Sequence, residues 1–307
     1  MSLSFGQIKN LLPATLFEKL VLQFGQSRAE MILRGFGEER SSTIRVNILK
    51  ADVLEIMNFL RANSTQFERL KFPDNALIIR NKNEKFLEKL AIYEEGKIYF
   101  QNLSSQLPVV FLEPKSGEKV LDVCAAPGSK TSQIVALMKN EGEILANDFD
   151  LIRVERLKYN LQKQGVKIAE VANRNGVHLG EEYPEKFDKV LLDAPCSAEG
   201  RISMSEPRSY KFWSQKVVNE NAKLQKRLIT SAIKALKRGG TLIYSTCSLM
   251  DEENGQVVKF ALENSGGKLK LEKIPVPVNN KIESNFGVTI LPDRLYEGFF
   301  IAKMIKA

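Results

Sequence analysis

The 307-residue sequence is poor in the residues that build staples and metal centres: it holds three Cys, one His and one Trp. The cysteines are odd in number and far apart, and no CxxC occurs, which argues against a disulfide scaffold and against a zinc module of ordinary spacing. A zinc ion held by all three would need His178 or a carboxylate as its fourth ligand. No run of 18 apolar residues occurs, so no segment reads as a membrane span. The opening MSLSFGQIKN lacks a basic-then-apolar leader pattern, and the expected location is cytoplasmic. Two glycine signatures are missing as well. Gly128-Ser129-Lys130-Thr131 has Ser between Gly and Lys and no Gly five positions earlier, so it is not a phosphate loop. No GxGxxG follows the first strand of the alternating region.

What is present is an ordinary globular composition, 43% hydrophobic and 27% charged. Lys and Arg number 45 against 37 Asp and Glu, a net charge of +8. The stretch Arg201 to Arg238 alone holds ten Lys or Arg and two Glu, a surplus equal to that of the whole chain. Arg208 and Lys211 lie in it beside Tyr210, Phe212 and Trp213. Cations interleaved with aromatic rings can bind phosphates and stack on bases, although such a run can also be a solvated helix face.

Periodicity divides the chain in two. Residues 1–100 read as a small α+β unit: helices over Leu16–Phe24, Ala29–Leu33 and Val53–Arg61, and an alternating strand over Ser42–Leu49. From residue 101 strands and helices alternate. Strands are predicted at Lys119–Cys124, Glu143–Asp148, Lys167–Asn173, Asp188–Asp193 and Thr241–Thr246. Helices are predicted at Ser129–Lys139, Leu151–Lys163, Val217–Leu236 (stopped by Gly239-Gly240) and Glu252–Leu262. This order implies a parallel sheet covered on both faces. Phe299–Met304 is expected as an antiparallel strand on the sheet edge.

Ligands in such sheets lie beyond the carboxyl ends of the strands. There the sequence puts Asp122, a tight turn of small residues, and Asp148, an acid placed to hold ribose hydroxyls. Cys124, Cys196 and Cys247 each follow a strand that is a neighbour in a doubly wound sheet. A thiol beside a nucleoside cofactor suits methylation of cytosine at carbon 5. A thiolate adding at carbon 6 makes carbon 5 enamine-like and able to attack an electrophilic methyl. Lys130 could help a thiol ionise, and Asp193 could hydrogen-bond the base. This reading does not choose between Cys196 and Cys247 as nucleophile.

Three segments, VLDVCAAPGSKT (120–131), VLLDAPCSAEG (190–200) and YSTCSLMDEEN (244–254), closely resemble the Nop/Sun family of S-adenosylmethionine-dependent RNA cytosine-C5 methyltransferases. The likeness continues in Ile44-Arg45-Val46-Asn47, in GKIYFQNLSSQLP (96–108) and in GFFIAK (298–303). It implies a class I, Rossmann-like α/β methyltransferase with a seven-stranded sheet. That domain would span 101–307, behind a small N-terminal α+β domain (1–100) that meets RNA. Cys124, Ala125, Ala126, Pro127, Gly128, Ser129 and Lys130 would wrap the methionine part of S-adenosyl-L-methionine. Asp148 would take the ribose, supported by Arg153, and Asp193 would sit between cofactor and target base. Cys247 would be the attacking thiolate, with Cys196 assisting release. The family usually has Gly where Ser129 stands, and an Asp near the adenine where Asn173 and Asn175 are the candidates.

The implied substrate is rRNA or tRNA, with no metal and no membrane. Target choice is expected to lie in residues 1–100, the basic stretch and the cleft rim. A methyltransferase acting on DNA and a non-catalytic RNA-binding protein are the competing readings. The Asp193-Ala194-Pro195-Cys196 run lacks the Pro-Pro-aromatic pattern of amino-group methyltransferases.

Overall fold

Apolar runs that end in small or acidic residues form the middle of the molecule. The computed structural model describes residues 3–307. Helices α1 (Phe5–Leu11), α2 (Ala14–Phe24) and α3 (Gln26–Gly37) come first. Ser4 caps α1 by accepting from the Gln7 amide, while the Gln7 side chain accepts from the Ser4 amide. These helices do not pack on the small sheet that follows. Leu16, Phe17, Leu20, Ile32 and Phe36 share a core with Ile202, Met204, Trp213, Leu249 and Met250. Polar contacts reinforce it. Gln23 Nε2 donates to the Leu249 carbonyl at 2.6 Å, and Gln23 Oε1 accepts from the Asp251 amide at 3.0 Å. Just past α3, Arg40 donates to the Gly200 and Ile202 carbonyls at 3.3 and 2.9 Å.

The small sheet is antiparallel. Strands β1 (Thr43–Val46), β2 (Phe67–Arg69), β3 (Ala76–Ile79) and β4 (Ile98–Phe100) lie in the order β2-β3-β1-β4. It has its own apolar core with α4 (Val53–Ala62) and the single turns α5 (Glu84–Leu87) and α6 (Ala91–Glu94). Arg45 on β1 leaves this sheet and donates to the Ser129 carbonyl at 3.0 Å and to Ser132 Oγ at 2.8 Å. Burial lowers its guanidinium to about 9. Asn47 donates to the Gly96 and Gln164 carbonyls at 3.0 and 2.9 Å. Both residues therefore tie the small sheet to the larger body.

Helix α7 (Leu103–Leu112) leads into that body. Then come β5 (Lys119–Asp122), α8 (Ser129–Leu137), β6 (Glu143–Asn147), α9 (Leu151–Lys163), β7 (Ala169–Ala172), α10 (Leu179–Glu182), β8 (Phe187–Asp193), α11 (Gln215–Ala235) and β9 (Leu236–Thr246). After them are α12 (Gly255–Asn264), β10 (Leu269–Glu272), β11 (Lys281–Ser284), β12 (Gly287–Ile290) and β13 (Phe299–Lys306). Among the described residues the sheet has nine strands, β11-β12-β13-β9-β8-β5-β6-β7, with β10 also on β13. Strands β5 to β9 pair in parallel, and β13 runs antiparallel to β9. Val190, Leu191 and Leu192 are fully buried because helices cover both faces of β8. Each such side chain contributes roughly 1.5–3 kcal/mol.

The seven expected strands are thus present, joined by β10 and β11. Two expectations need correction. β13 is not an edge, because β12 and β10 pair along its far side. And α11 stops at Ala235, before Gly239-Gly240. Leu236 turns extended to pair with Phe187, and Lys306 Nζ donates to the Ile233 and Leu236 carbonyls at 3.0 and 2.6 Å, so a cation closes the helix instead of glycine. Gly239 sits in a register shift within β9 at φ +77°.

Candidate active site

The chain reverses direction across the sheet between β5 and β8, and a crevice opens at the carboxyl ends of strands there, as topology requires. A cavity of about 790 Å³ occupies it. Cys124, Ala125, Ala126, Pro127, Ser129, Lys130, Asp148, Arg153, Asn175, Asp193, Cys196 and Cys247 all line it, so nearly every residue singled out from the sequence meets in one place. Gly128 does not line it. At φ +103° it supplies the left-handed turn that starts α8. Asn173 is occupied elsewhere, donating to the Asp148 and Phe149 carbonyls. Asn175 is therefore the asparagine available to a ligand.

One end of the cavity is acidic. Asp122 closes β5, fully buried, with Oδ2 accepting from Thr131 Oγ1 at 2.7 Å and Oδ1 without a partner. Burial pushes its carboxyl up to about 7, against the pull of the Thr131 hydrogen bond. Asp148, after β6, accepts from the Ala126 and Asp150 amides at 3.3 and 3.1 Å. Arg153 Nη2 lies 3.3 Å from it and donates to the Ala126 carbonyl at 2.7 Å. Burial also raises the Cys124 thiol, which stays protonated.

In the middle, β8 delivers Asp193. Lys130 Nζ donates to its Oδ2 at 2.6 Å and Ser245 Oγ to its Oδ1 at 2.7 Å. Lys130 also donates to Ser105 Oγ at 2.9 Å and lies 5.5 Å from the centre of the Phe299 ring. The lysine thus holds Asp193 and is not bonded to a sulfur, contrary to the expectation that it would help a thiol ionise. The cation at the sulfur end is Arg201, which lines the cavity with Cys196, Cys247 and Glu297.

At that end the two sulfurs, one after β8 and one after β9, are 3.2 Å apart. The contact with Cys247, and burial after it, raise the Cys196 thiol well above its ordinary range. Cys196 therefore keeps its proton next to a second sulfur.

Known proteins carry the same plan. Residues 109–305 match the family described as 16S rRNA methyltransferase RsmB/F. The chain belongs to the RsmB/F family. Ribosomal RNA small subunit methyltransferase F of Vibrio parahaemolyticus is 40% identical over 273 residues, covering 86% of this chain and 56% of the relative. The protein of the same name from Escherichia coli is 38% identical over 274 residues, covering 86% and 57%. The chain thus matches little more than half the length of these curated relatives. A solved methyltransferase homolog from Pyrococcus horikoshii superposes with a TM-score of 0.85 at 31% identity, over the full length of both chains. NSun6 from the same organism, solved with SFG, gives a TM-score of 0.84 at 25% identity, covering 97% of this chain and 99% of that one.

S-adenosyl-L-methionine is the methyl donor of RsmB/F proteins, and the residues present fit it. Three carboxylates, Asp122, Asp148 and Asp193, face one cavity, and a donor with an ammonium and a sulfonium suits that charge. The unpartnered Oδ1 of Asp122 is a free acceptor there. Among the described residues no cluster of His, Cys, Asp and Glu is arranged to hold a metal, and no helix is long and apolar enough to cross a membrane.

The basic stretch of this RsmB/F chain is divided. Arg208, Lys211 and Phe212 are exposed, but Tyr210 and Trp213 are buried in the core beneath α2 and α3. The Trp213 indole N–H donates to Glu199. Those two rings cannot stack on bases, which corrects the reading of an aromatic-basic platform. Ser105, Phe299 and the buried carboxylates Glu199 and Glu253 carry no expected role in the sequence, although all four fall inside segments that bear the family resemblance. Arg201 counts there only as the first cation of the basic stretch, and its place beside the sulfurs depends on tertiary contacts.

Proposed function

We propose that this chain transfers a methyl group to carbon 5 of a cytosine in RNA, through a transient bond between Cys247 Sγ and carbon 6 of the base. The observation that carries this reading is the pair of sulfurs at 3.2 Å at the end of the donor cavity, with Lys130–Asp193 between. The names of the curated relatives favour small-subunit ribosomal RNA over transfer RNA as substrate. Residues 101–307 hold the chemistry, and residues 1–100 with Arg208 and Lys211 offer surface to the RNA.

S-adenosyl-L-methionine, when bound, supplies an electrophilic methyl. Cys124 to Pro127 with Ser129 and Lys130 would hold its methionine part, Asp148 with Arg153 its ribose, and Asn175 its base. The rest falls to the protein's own groups. Asp193, fixed on both oxygens, accepts from the exocyclic amine of the target base. The ammonium of Lys130 offsets the negative charge that spreads into the ring as sulfur adds. A water entering the open cavity takes the carbon 5 proton; the C–H electron pair restores the ring double bond as the carbon 6–sulfur bond breaks and expels Cys247. Cys196, a thiol that keeps its proton, is placed to hand it to that departing sulfur. The target base must be unpaired or flipped to reach the cavity, at a cost of a few kcal/mol.

A denaturing gel of enzyme with donor and labelled RNA tests this. Cys247→Ala is expected to abolish both methyl transfer and the covalent adduct. Cys196→Ala is expected to let the adduct accumulate. The opposite pattern would reverse the roles, and transfer to single-stranded DNA in preference to RNA would replace the substrate.

A further inference from the structure

Two carboxylates lie fully buried behind the sulfurs, and the mechanism above does not use them. Glu199 follows Cys196 by three residues, and Glu253 follows Cys247 by six. Each reaches across to the other cysteine's segment. Glu199 Oε2 accepts from Ser248 Oγ at 2.7 Å and from the Leu249 amide at 3.2 Å, both just past Cys247. Glu253 accepts from the Ser197 amide at 3.1 and 3.2 Å and from the Ser197 hydroxyl, just past Cys196. Ser197 Oγ and Ser248 Oγ are 3.3 Å apart. Each hydroxyl has one proton and gives it to its own carboxylate, so the tie is crosswise: Glu199 holds the segment after Cys247, and Glu253 holds the segment after Cys196.

We infer that Glu199 and Glu253 are positioning residues, a reciprocal brace that holds the Cys196 thiol against Cys247 and keeps its proton on it. Burying two carboxylates this close is expensive unless donors surround them, and here loop amides, hydroxyls and the Trp213 indole do so. A simple packing role would be served as well by apolar side chains. Burial and the neighbouring Glu199 hold the Glu253 carboxyl up at about 7. The titratable and charged groups within range of Cys196 are Cys247, Glu253, Glu199, Arg201 and Tyr244.

The inference deepens the proposed function and rests on it for one of two readouts. The first readout is independent of catalysis: iodoacetamide alkylation of Cys196 against pH with both cysteines present, resolved by mass spectrometry of the separate peptides that carry Cys196 and Cys247. Glu253→Gln keeps shape and hydrogen bonds but removes charge. It is expected to move the alkylation midpoint down by about one unit, close to tenfold in thiolate at a fixed lower pH. Glu199→Gln is expected to act in the same direction and answers the question if the first variant folds poorly. The second readout is the lifetime of the RNA adduct, expected to lengthen about tenfold in either variant. An unmoved midpoint in a folded variant overturns the brace and leaves methyl transfer standing. A Cys196→Ala enzyme that forms no adduct overturns the proposed function, and the alkylation result still decides the brace.

Discussion

Asp122 shows what a single buried acid costs and offers. Its carboxyl titrates near 3.8 when unfolded and at about 7 in the fold. A raised carboxylate favours the folded state in its protonated form. Its contribution is complete below the unfolded value and is lost as pH rises through about 7. Glu253, raised to about 7, acts with the same sign. The melting temperature of the free protein is therefore expected to fall between pH 5 and pH 8. Asp122→Asn, which keeps an acceptor for Thr131, is expected to shrink that difference, as thermal melts at the two pH values would show. The same acid is a free acceptor for the donor, so this variant is also expected to weaken donor binding at pH 8, measurable by calorimetry.

Among the elements, the turn after β8 is the most constrained. The Gly200 amide donates to the Cys247 carbonyl at 2.9 Å, and its own carbonyl accepts from Gly298 at 2.9 Å. A Cβ at position 200 would sit 1.8 Å from the Gly298 carbonyl oxygen, and backbone cannot yield as a side chain end can. Gly200→Ala is expected to destabilise the fold by at least about 1–3 kcal/mol, read as a lower melting temperature. Such contacts mark the limit of what sequence revealed. The parallel strands were legible because burial on both faces makes them short apolar runs, as in β5 and β8. The acids and thiols were legible because the strand ends place them. Helix α7 gave no signal, since Leu103, Leu107, Val109, Phe111 and Leu112 are buried around its whole girth and leave no polar face to set a period. The glycine pair after α11 misled because a lysine from β13 already caps that helix. The Glu199–Glu253 brace was invisible because its partners come from another loop.

For the whole molecule, the proposed function gives the basic surface a task, which is to meet the phosphates of RNA. Arg208 and Lys211 are exposed on a stretch that carries the chain's entire net surplus. Replacing either with Ala is expected to lower the slope of log affinity against log salt by roughly 0.7 on single-stranded RNA. Filter binding at several salt concentrations would show it, and unchanged slopes would remove the stretch from the interface.

Support for the two ends of the crevice comes from different places. The donor end rests on parallel strands in the interior of a nine-stranded sheet. The sulfur end is propped from outside, by Gln23 on the segment after Cys247 and by Arg40 on the carbonyls flanking Arg201. Warming that frayed the opening helices would slacken the grip on the thiols while the nucleoside seat stayed whole. The molecule would then fall silent well before it came apart.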